Sequence, residues 1–291
     1  MKIFDCTTYF SEDMLMDLRF NVLNKFVHKF IVVESIFSHS GKKKNLNFNI
    51  NNFPKFKDKI IYKVIENEPI GLVNADSPAN KRFNSIKRIE QSYEYMTNGV
   101  NLASEDDLII LSDNDEIPNL ESRQFQSSSK DIILFKQLFF YYKFNLLYEK
   151  VKWFGSKACK KKKLKSFSWL RNIKNKVYPS WRIDTYFSKL KHINIEIIEQ
   201  GGWHFTNIKT PQDLFIKMSN FGHHDEFELS GLTTEDIKKK IDDKKVFYNH
   251  FSDKSDLNKW SNNDSLEMID IRLLPSYLQK NKDEYQNWWA V

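Results

Sequence analysis

Short apolar runs rich in β-branched residues alternate with helix-periodic stretches through the first 120 residues, and this alternation constrains the chain more than any other feature. Ile3-Phe4 opens it as a strand. Ser11 is a candidate N-cap, and Leu15, Leu18, Val22 and Phe26 follow at helical spacing. Phe30-Ile31-Val32-Val33 and Ile60-Ile61-Tyr62-Lys63-Val64-Ile65 read as the next two strands. A helix is expected from about Asn80 to Met96, with Phe83, Ile86, Ile89 and Tyr93 on one face. Asp107-Leu108-Ile109-Ile110-Leu111 reads as a central strand. Strands that are continuously apolar, spaced by helices, are the pattern of a parallel sheet buried under helices on both faces. The expected class is therefore α/β, with a mostly parallel sheet flanked by helices.

The second half is less regular. Strands are expected over 131–135 and 195–198, and helices over 211–221 and 234–241. Phe139-Phe140-Tyr141-Tyr142 is read as core packing before a sugar-stacking platform. No internal repeat and no flexible linker is visible. The expected organisation is one domain over residues 1–230, with a helical extension over 231–291 packed on it.

Hydrophobic residues make up 41% of the chain and aromatics 15%, enough for a sizeable core and too much for a disordered chain. The net charge of +7 favours anionic partners, although Lys and Asn are spread throughout rather than gathered in one patch. Cys6 and Cys159 have no metal-type spacing and form no disulfide framework, which fits a reducing compartment. No apolar leader and no run of about 18 apolar residues is present. The expected location is cytoplasmic, with peripheral contact at the inner membrane face as a weaker option resting on charge alone. The absence of a Walker loop, a GxGxxG segment, a zinc motif or a nucleophile elbow argues against P-loop hydrolysis, dinucleotide binding and hydrolase chemistry.

The strongest chemical signal is Ser112-Asp113-Asn114-Asp115-Glu116, directly after the apolar strand. Ligands of open α/β sheets bind at the carboxyl ends of strands. Two carboxylates one residue apart suit Mg²⁺ or Mn²⁺, which bind through one or two carboxylates and substrate phosphates. A solvated acidic turn is the competing reading. His204, in Gly201-Gly202-Trp203-His204, is either a further metal ligand or a hydrogen-bonded structural histidine. In His223-His224-Asp225-Glu226 a carboxylate could serve as general base or lie in a solvated loop. Glu34, ending its strand, could hold a ribose, and Lys42 a phosphate; each could equally be structural. Lys160-Lys161-Lys162-Lys163 reads as a solvated loop.

Several of these segments, in this order, resemble glycosyltransferase family 17, the β-1,4-mannosyl-glycoprotein β-1,4-N-acetylglucosaminyltransferase family. Phe4-Asp5-Cys6 with Phe10, Glu12 and Leu18-Arg19 resembles its opening strand and helix. Val32-Val33-Glu34 with Ser38 and Gly41-Lys42 resembles its second strand and turn. Asp106 through Pro118 is similar to its Ser-Asp-x-Asp-Glu-Ile-Pro signature, Trp153 and Gly155 to its Trp-x-Gly, and Gly201 through Phe205 to its Gly-Gly-Trp-His-Phe. Lys217 through Glu226 is similar to its Lys-to-Ser-His-x-Glu helix. The resemblance runs over roughly residues 3–228 and leaves the last 60 without a counterpart. Met14, His28 and Asn114 depart from its usual residues.

The resemblance implies a GT-A-like, Rossmann-related fold, a UDP-sugar donor (UDP-GlcNAc) and inversion at the anomeric carbon; with the acidic pair it leads to an expected Mn²⁺ or Mg²⁺ cofactor, a glycan hydroxyl acceptor and no nucleic-acid partner. Carried over by position, it makes Asp113 and Asp115 metal and diphosphate candidates, His204 a metal or diphosphate ligand and Glu34 a donor-site residue. The reading adopted here adds Lys42, Arg82, Arg88, Asn114 and Trp203 to the donor site, and Glu116 or Glu226 as the general base. The competing expectations are a transferase with another nucleotide-sugar donor, and a non-catalytic glycan- or polyanion-binding protein.

Overall fold

The structure is a computed structural model of the chain that describes residues 1–220, 224–251 and 259–291. Phe221, Gly222 and His223 lie outside the described residues, as does the Asp225 side chain. The N-terminal half is built from β1 (Ile3–Thr8), α1 (Asp13–Leu23), β2 (Lys29–Ser35), β3 (Ile60–Ile65), α2 (Pro78–Tyr95), β4 (Leu108–Ser112) and β5 (Glu116–Pro118). There follow α3 (Arg123–Ser127), β6 (Ile132–Tyr141), β7 (Leu146–Leu147), β8 (Trp153–Lys160), α4 (Phe167–Asn172) and α5 (Asp184–Phe187). The chain continues through β9 (Ile195–Ile198), β10 (Gly202–Thr206), α6 (Pro211–Met218), α7 (His224–Ser230), α8 (Thr234–Asp242), β11 (Glu267–Met268) and α9 (Ser276–Lys280).

β1 pairs in parallel with β2 and β4, and β2 with β3, giving the order β3-β2-β1-β4. The antiparallel β8 then separates β4 from β6. Both β9 and β10 run parallel to β6. The result is a large, mostly parallel central sheet flanked by helices. Every residue of β4 is buried, which is why it reads as an unbroken apolar run. β1, β2 and β3 proceed outward in one direction, whereas β4 returns to the other side of β1. A crevice opens at such a reversal, at the carboxyl ends of the strands.

Two local expectations are corrected. Ser11 does not cap α1; Glu12 holds that position without a capping side-chain bond. In α2, Phe83 and Ile86 are 42% and 36% exposed, while Asn84, Ser85, Ser92 and Tyr93 are buried. The inward face of α2 is mixed: Tyr93 and Ile89 pack on the core, Arg82, Arg88 and Ser92 face a cavity, and Asn84 and Ser85 bond the backbone of Val73 and His39. By contrast, Phe139, Phe140, Tyr141 and Tyr142 are all enclosed as core side chains. The lysine run from Lys160 is held at the surface, with Lys160 on Asp131 (3.0 Å) and Lys162 on Asp106 (2.6 Å).

Beyond residue 230 the chain packs back on the sheet. β11 pairs with β7, and the Tyr285 hydroxyl in the segment after α9 reaches Asp17 of α1 at 3.1 Å.

Candidate active site

The reversal between β1 and β4 holds a cavity of about 320 Å³. Its walls come from four places: Thr8 to Phe10 and Glu12 at and after the end of β1, Ser35, Phe37 to His39 and Lys44 at and after the end of β2, the inner face of α2, and Lys217 of α6 with Asn220 just after it. Its floor is the turn after β4, where Asp113, Asn114 and Asp115 all line the space.

The turn is fixed from three sides. From α1, the fully buried Arg19 binds Asp5 of β1 with Nε and Nη2 (2.7 and 2.5 Å). Its Nη1 donates to the carbonyls of Glu116 and Asp113. Below the turn, β10 runs antiparallel to β5, with His204 opposite Glu116. The Phe205 N–H donates to the Asp115 carbonyl at 2.7 Å. From β8, Trp153 Nε1 donates to Glu116 at 2.9 Å. A side chain at Gly155 would place its Cβ 2.6 Å from the Glu116 carboxyl carbon, so only glycine leaves room for that carboxylate. Gly202, at φ +125°, would set a Cβ 2.1 Å from the Ile117 carbonyl. The Trp-x-Gly and Gly-Gly-Trp-His segments are thus the packing that seats the acidic turn.

The two aspartates face different partners. Asp113 accepts from Arg171 Nη2 of α4 (2.6 Å) and from the Tyr93 hydroxyl of α2 (2.9 Å). Burial raises its carboxyl above the usual range, with Glu116 and Asp115 adding to the rise and Arg171 opposing it. Asp115 lies 3.2 Å from His204 Nε2 and 3.5 Å from Lys217 Nζ. Burial alone would raise its carboxyl, but the charges of His204 and Lys217 outweigh that and hold it well below the ordinary carboxylate value. An acidic floor therefore lies beneath the cavity-lining cations Lys44, Arg82, Arg88 and Lys217.

Against that geometry, the sequence model of glycosyltransferase family 17 matches residues 1–288. The chain belongs to glycosyltransferase family 17. The match runs 60 residues beyond the stretch that residue-by-residue resemblance covers. No curated protein matches this transferase. Among solved structures it is similar to HddC from Yersinia pseudotuberculosis, 11% identical with a TM-score of 0.35, covering 68% of this chain and 91% of that one. The same protein complexed with GMP-PN gives 11% identity and a TM-score of 0.36 over 78% of this chain and 100% of that one. The inositol-1-phosphate CTP transferase from T. maritima is 15% identical, with a TM-score of 0.27 over 55% and 71% of the two chains. As a member of its family, the transferase takes a nucleotide-sugar donor and a glycan acceptor.

The transferase brings Asp113, Asn114, Asp115, Arg82 and Arg88 together around one cavity. Arg88 is clamped on Glu68 (2.8 and 2.9 Å) and donates to the His39 carbonyl. Asn114 donates to Glu12 at 2.7 Å. Other expected residues stand behind the walls. Glu34 is buried and accepts from Lys44, the N–H groups of Asn47 and Phe48, and the Tyr62 hydroxyl, so it pins the 44–48 loop over the strand end. Lys42 is exposed outside the cavity, and Lys44 lines it instead. Trp203 is core, with Nε1 donating to Leu273 O at 2.7 Å.

Glu116 is fully enclosed, accepting from Trp153, the Asp113 N–H (2.9 Å) and Arg171. An acceptor hydroxyl has no route to it. Glu226, on α7, is held by Lys259 at 2.8 Å. Arg171, Tyr93 and Glu12 are site residues that sequence reasoning did not assign. Arg171 in particular carries no motif that would have singled it out.

Asp113 and Asp115 have the oxygen donors a hard divalent cation needs, and both face the cavity. A third protein ligand is not assembled: among the described residues no group of three or more His, Cys, Asp or Glu gathers as a metal cluster. His204 is clamped between Trp153, stacked at 4.6 Å, and the edge of Phe139 at 4.5 Å, and its buried Nδ1 has no partner among the described residues. It meets Asp115 through Nε2. The donor set fits a cation held by two carboxylates and completed by substrate phosphate.

Proposed function

We propose that this chain transfers N-acetylglucosamine from UDP-GlcNAc to a glycan hydroxyl with inversion, in a GT-A-type arrangement. The observation that carries the reading is the acidic turn at the β1/β4 reversal, facing a cavity rimmed by Lys44, Arg82, Arg88 and Lys217. The donor diphosphate lies over that turn, and the nucleoside extends toward the end of β2. Asp113 and Asp115 hold a Mn²⁺ or Mg²⁺ ion, which when bound supplies Lewis-acid neutralisation of the departing nucleotide. Arg82, Arg88 and Lys217 bind phosphate oxygens and stabilise the same charge. His204 orients Asp115, and Arg171 orients Asp113. Asn114 reaches donor hydroxyls, while Glu34 and Trp203 act through the walls they hold.

The acceptor oxygen attacks the anomeric carbon opposite the diphosphate. One C–O bond forms, the bond to the diphosphate breaks, and the acceptor proton passes to a carboxylate. Glu226 takes that role, since Glu116 is enclosed.

Nucleotide release from a panel of UDP, GDP and CMP sugars, with and without Mn²⁺, tests the reading on wild type and Asp113→Asn. UDP-GlcNAc should be turned over fastest, only with the cation, and not by the variant. A preference for a GDP or CMP sugar sinks the donor assignment, and cation-independent release sinks the metal role.

A further inference from the structure

The chain between Ile173 and His192 leaves the end of α4 as a closed loop. Its neck is tied by Lys174 N–H to Leu190 O (2.9 Å) and by Trp169 Nε1 to Lys189 O (2.8 Å). Ile173, Tyr178 and Thr185 turn inward. Trp181, Ile183, Tyr186 and Phe187 turn outward with 78%, 72%, 67% and 84% of their surface exposed, and Val177 with 51%. None of these five belongs to the apolar clusters of the core. Scattered exposed apolar residues are ordinary on protein surfaces, but so many in one short loop mark a contact surface.

The same loop is basic. Lys174, Lys176, Arg182, Lys189 and Lys191 face a single acid, Asp184, which Arg182 and Lys191 already neutralise at 2.7 Å each. Lys176, Arg182 and Lys191 also gather on the Tyr178 ring, within 6.0, 5.3 and 5.9 Å. Cations therefore collect at the base of an apolar tip.

We propose that this loop docks the transferase on an anionic phospholipid bilayer. Trp181, Ile183, Tyr186 and Phe187 enter the headgroup boundary and the lysines meet lipid phosphates. Charge complementarity selects an anionic surface. The aliphatic members favour lipid over glycan, because a sugar ring stacks on an aromatic face and Ile183 and Val177 offer none. No helix among the described residues is long and apolar enough to cross a membrane, so this attachment is peripheral. The neck lies on α4, the helix that carries Arg171 to Asp113, and docking ties that helix to the surface. The inference is independent of which sugar is transferred.

The test is co-sedimentation of the full chain with vesicles of phosphatidylcholine alone and with about one third phosphatidylglycerol. It uses wild type, Trp181→Ser/Phe187→Ser and Lys174→Glu/Lys176→Glu, each checked for a wild-type melting curve. Wild type should sediment with the anionic vesicles only, and high salt should release it. Each double variant should lower partitioning at least about tenfold, with UDP-GlcNAc turnover on a soluble oligosaccharide unchanged in the absence of vesicles. Wild type that ignores anionic vesicles, or variants that bind as wild type does, overturn the proposal. Variants that lose vesicle-free turnover assign the loop to acceptor glycan and overturn it as well.

Discussion

Replacing Arg19 by methionine should unfold the chain far more easily, because its guanidinium is wholly enclosed and every contact it makes is part of the site's foundation. Its side chain and that of Asp5 are 0% and 1% exposed, so solvent cannot take over for a lost partner. Removing one member of a buried pair costs about 3–5 kcal/mol, because the remaining charge is stranded. The Glu116 carbonyl loses the guanidinium donor at the same time, while the Asp113 carbonyl keeps the Glu116 N–H, adding up to about 1–3 kcal/mol if the Glu116 carbonyl is left unsatisfied. A loss of about 4 kcal/mol or more is a large share of the 5–15 kcal/mol that typically separates folded from unfolded chains. With a urea dependence of about 3 kcal/mol per molar, the midpoint falls by roughly 1 M or more. Urea unfolding followed by far-UV circular dichroism measures it. Asp5→Leu/Arg19→Met removes both charges and should recover at least half of the stability. It should stay inactive, since the acidic turn then lacks the guanidinium that ties the Asp113 and Glu116 carbonyls to α1. A single variant with an unchanged midpoint, or a double variant as weak as the single, refutes this reasoning.

Arg171→Met should destabilise by about 2 kcal/mol, less than Arg19 because Arg171 and Asp113 are 23% and 32% exposed; Mn²⁺ should raise the variant's melting temperature more than the wild type's, since Asp113 is freed, and equal shifts count against Asp113 as a ligand. Gly155→Ala should cost about 2 kcal/mol or more in urea unfolding, because its Cβ meets the Glu116 carboxylate; an unaffected midpoint contradicts that packing. His39, at the cavity wall, is pushed down to about 4 by burial and by Arg88 and Arg82. The unfolded imidazole titrates near its ordinary 6.5, so the unfolded chain binds the extra proton between these values. Stability should therefore rise with pH from about 4 to 6.5 by at most about 3 kcal/mol, and His39→Asn should flatten the slope seen in denaturant midpoints across that window.

The parallel half of the fold is legible in the chain because each strand carries a short, largely β-branched apolar run. Ile60–Ile65 coincides with β3, and the run ending at Leu111 is the central strand beneath the acidic turn. α2 misleads because periodicity assumes that a helix buries an apolar face, whereas this one turns Arg82, Arg88 and Ser92 to the cavity beside Ile89 and Tyr93. Charged residues are the harder problem. Glu34 and Glu116 look in sequence like any strand-end carboxylate, yet both are buried hubs whose partners come from separate segments. Lys42 and Lys44 stand two residues apart in one turn, and only the fold decides which lines the cavity. Arg171 carries no local signature at all, since its place is set by the pairing of β8 with β4 and the packing of α4 behind them.

Calorimetric titration of UDP into wild type and Asp115→Asn, each with and without Mn²⁺, bears most directly on what the acidic turn does. Mn²⁺ should tighten UDP binding to wild type by roughly tenfold or more and leave the variant's affinity unchanged. Equal UDP affinity in wild type with and without the ion, or a variant that keeps the full enhancement, contradicts the assignment of Asp113 and Asp115 to a cation beneath the donor diphosphate.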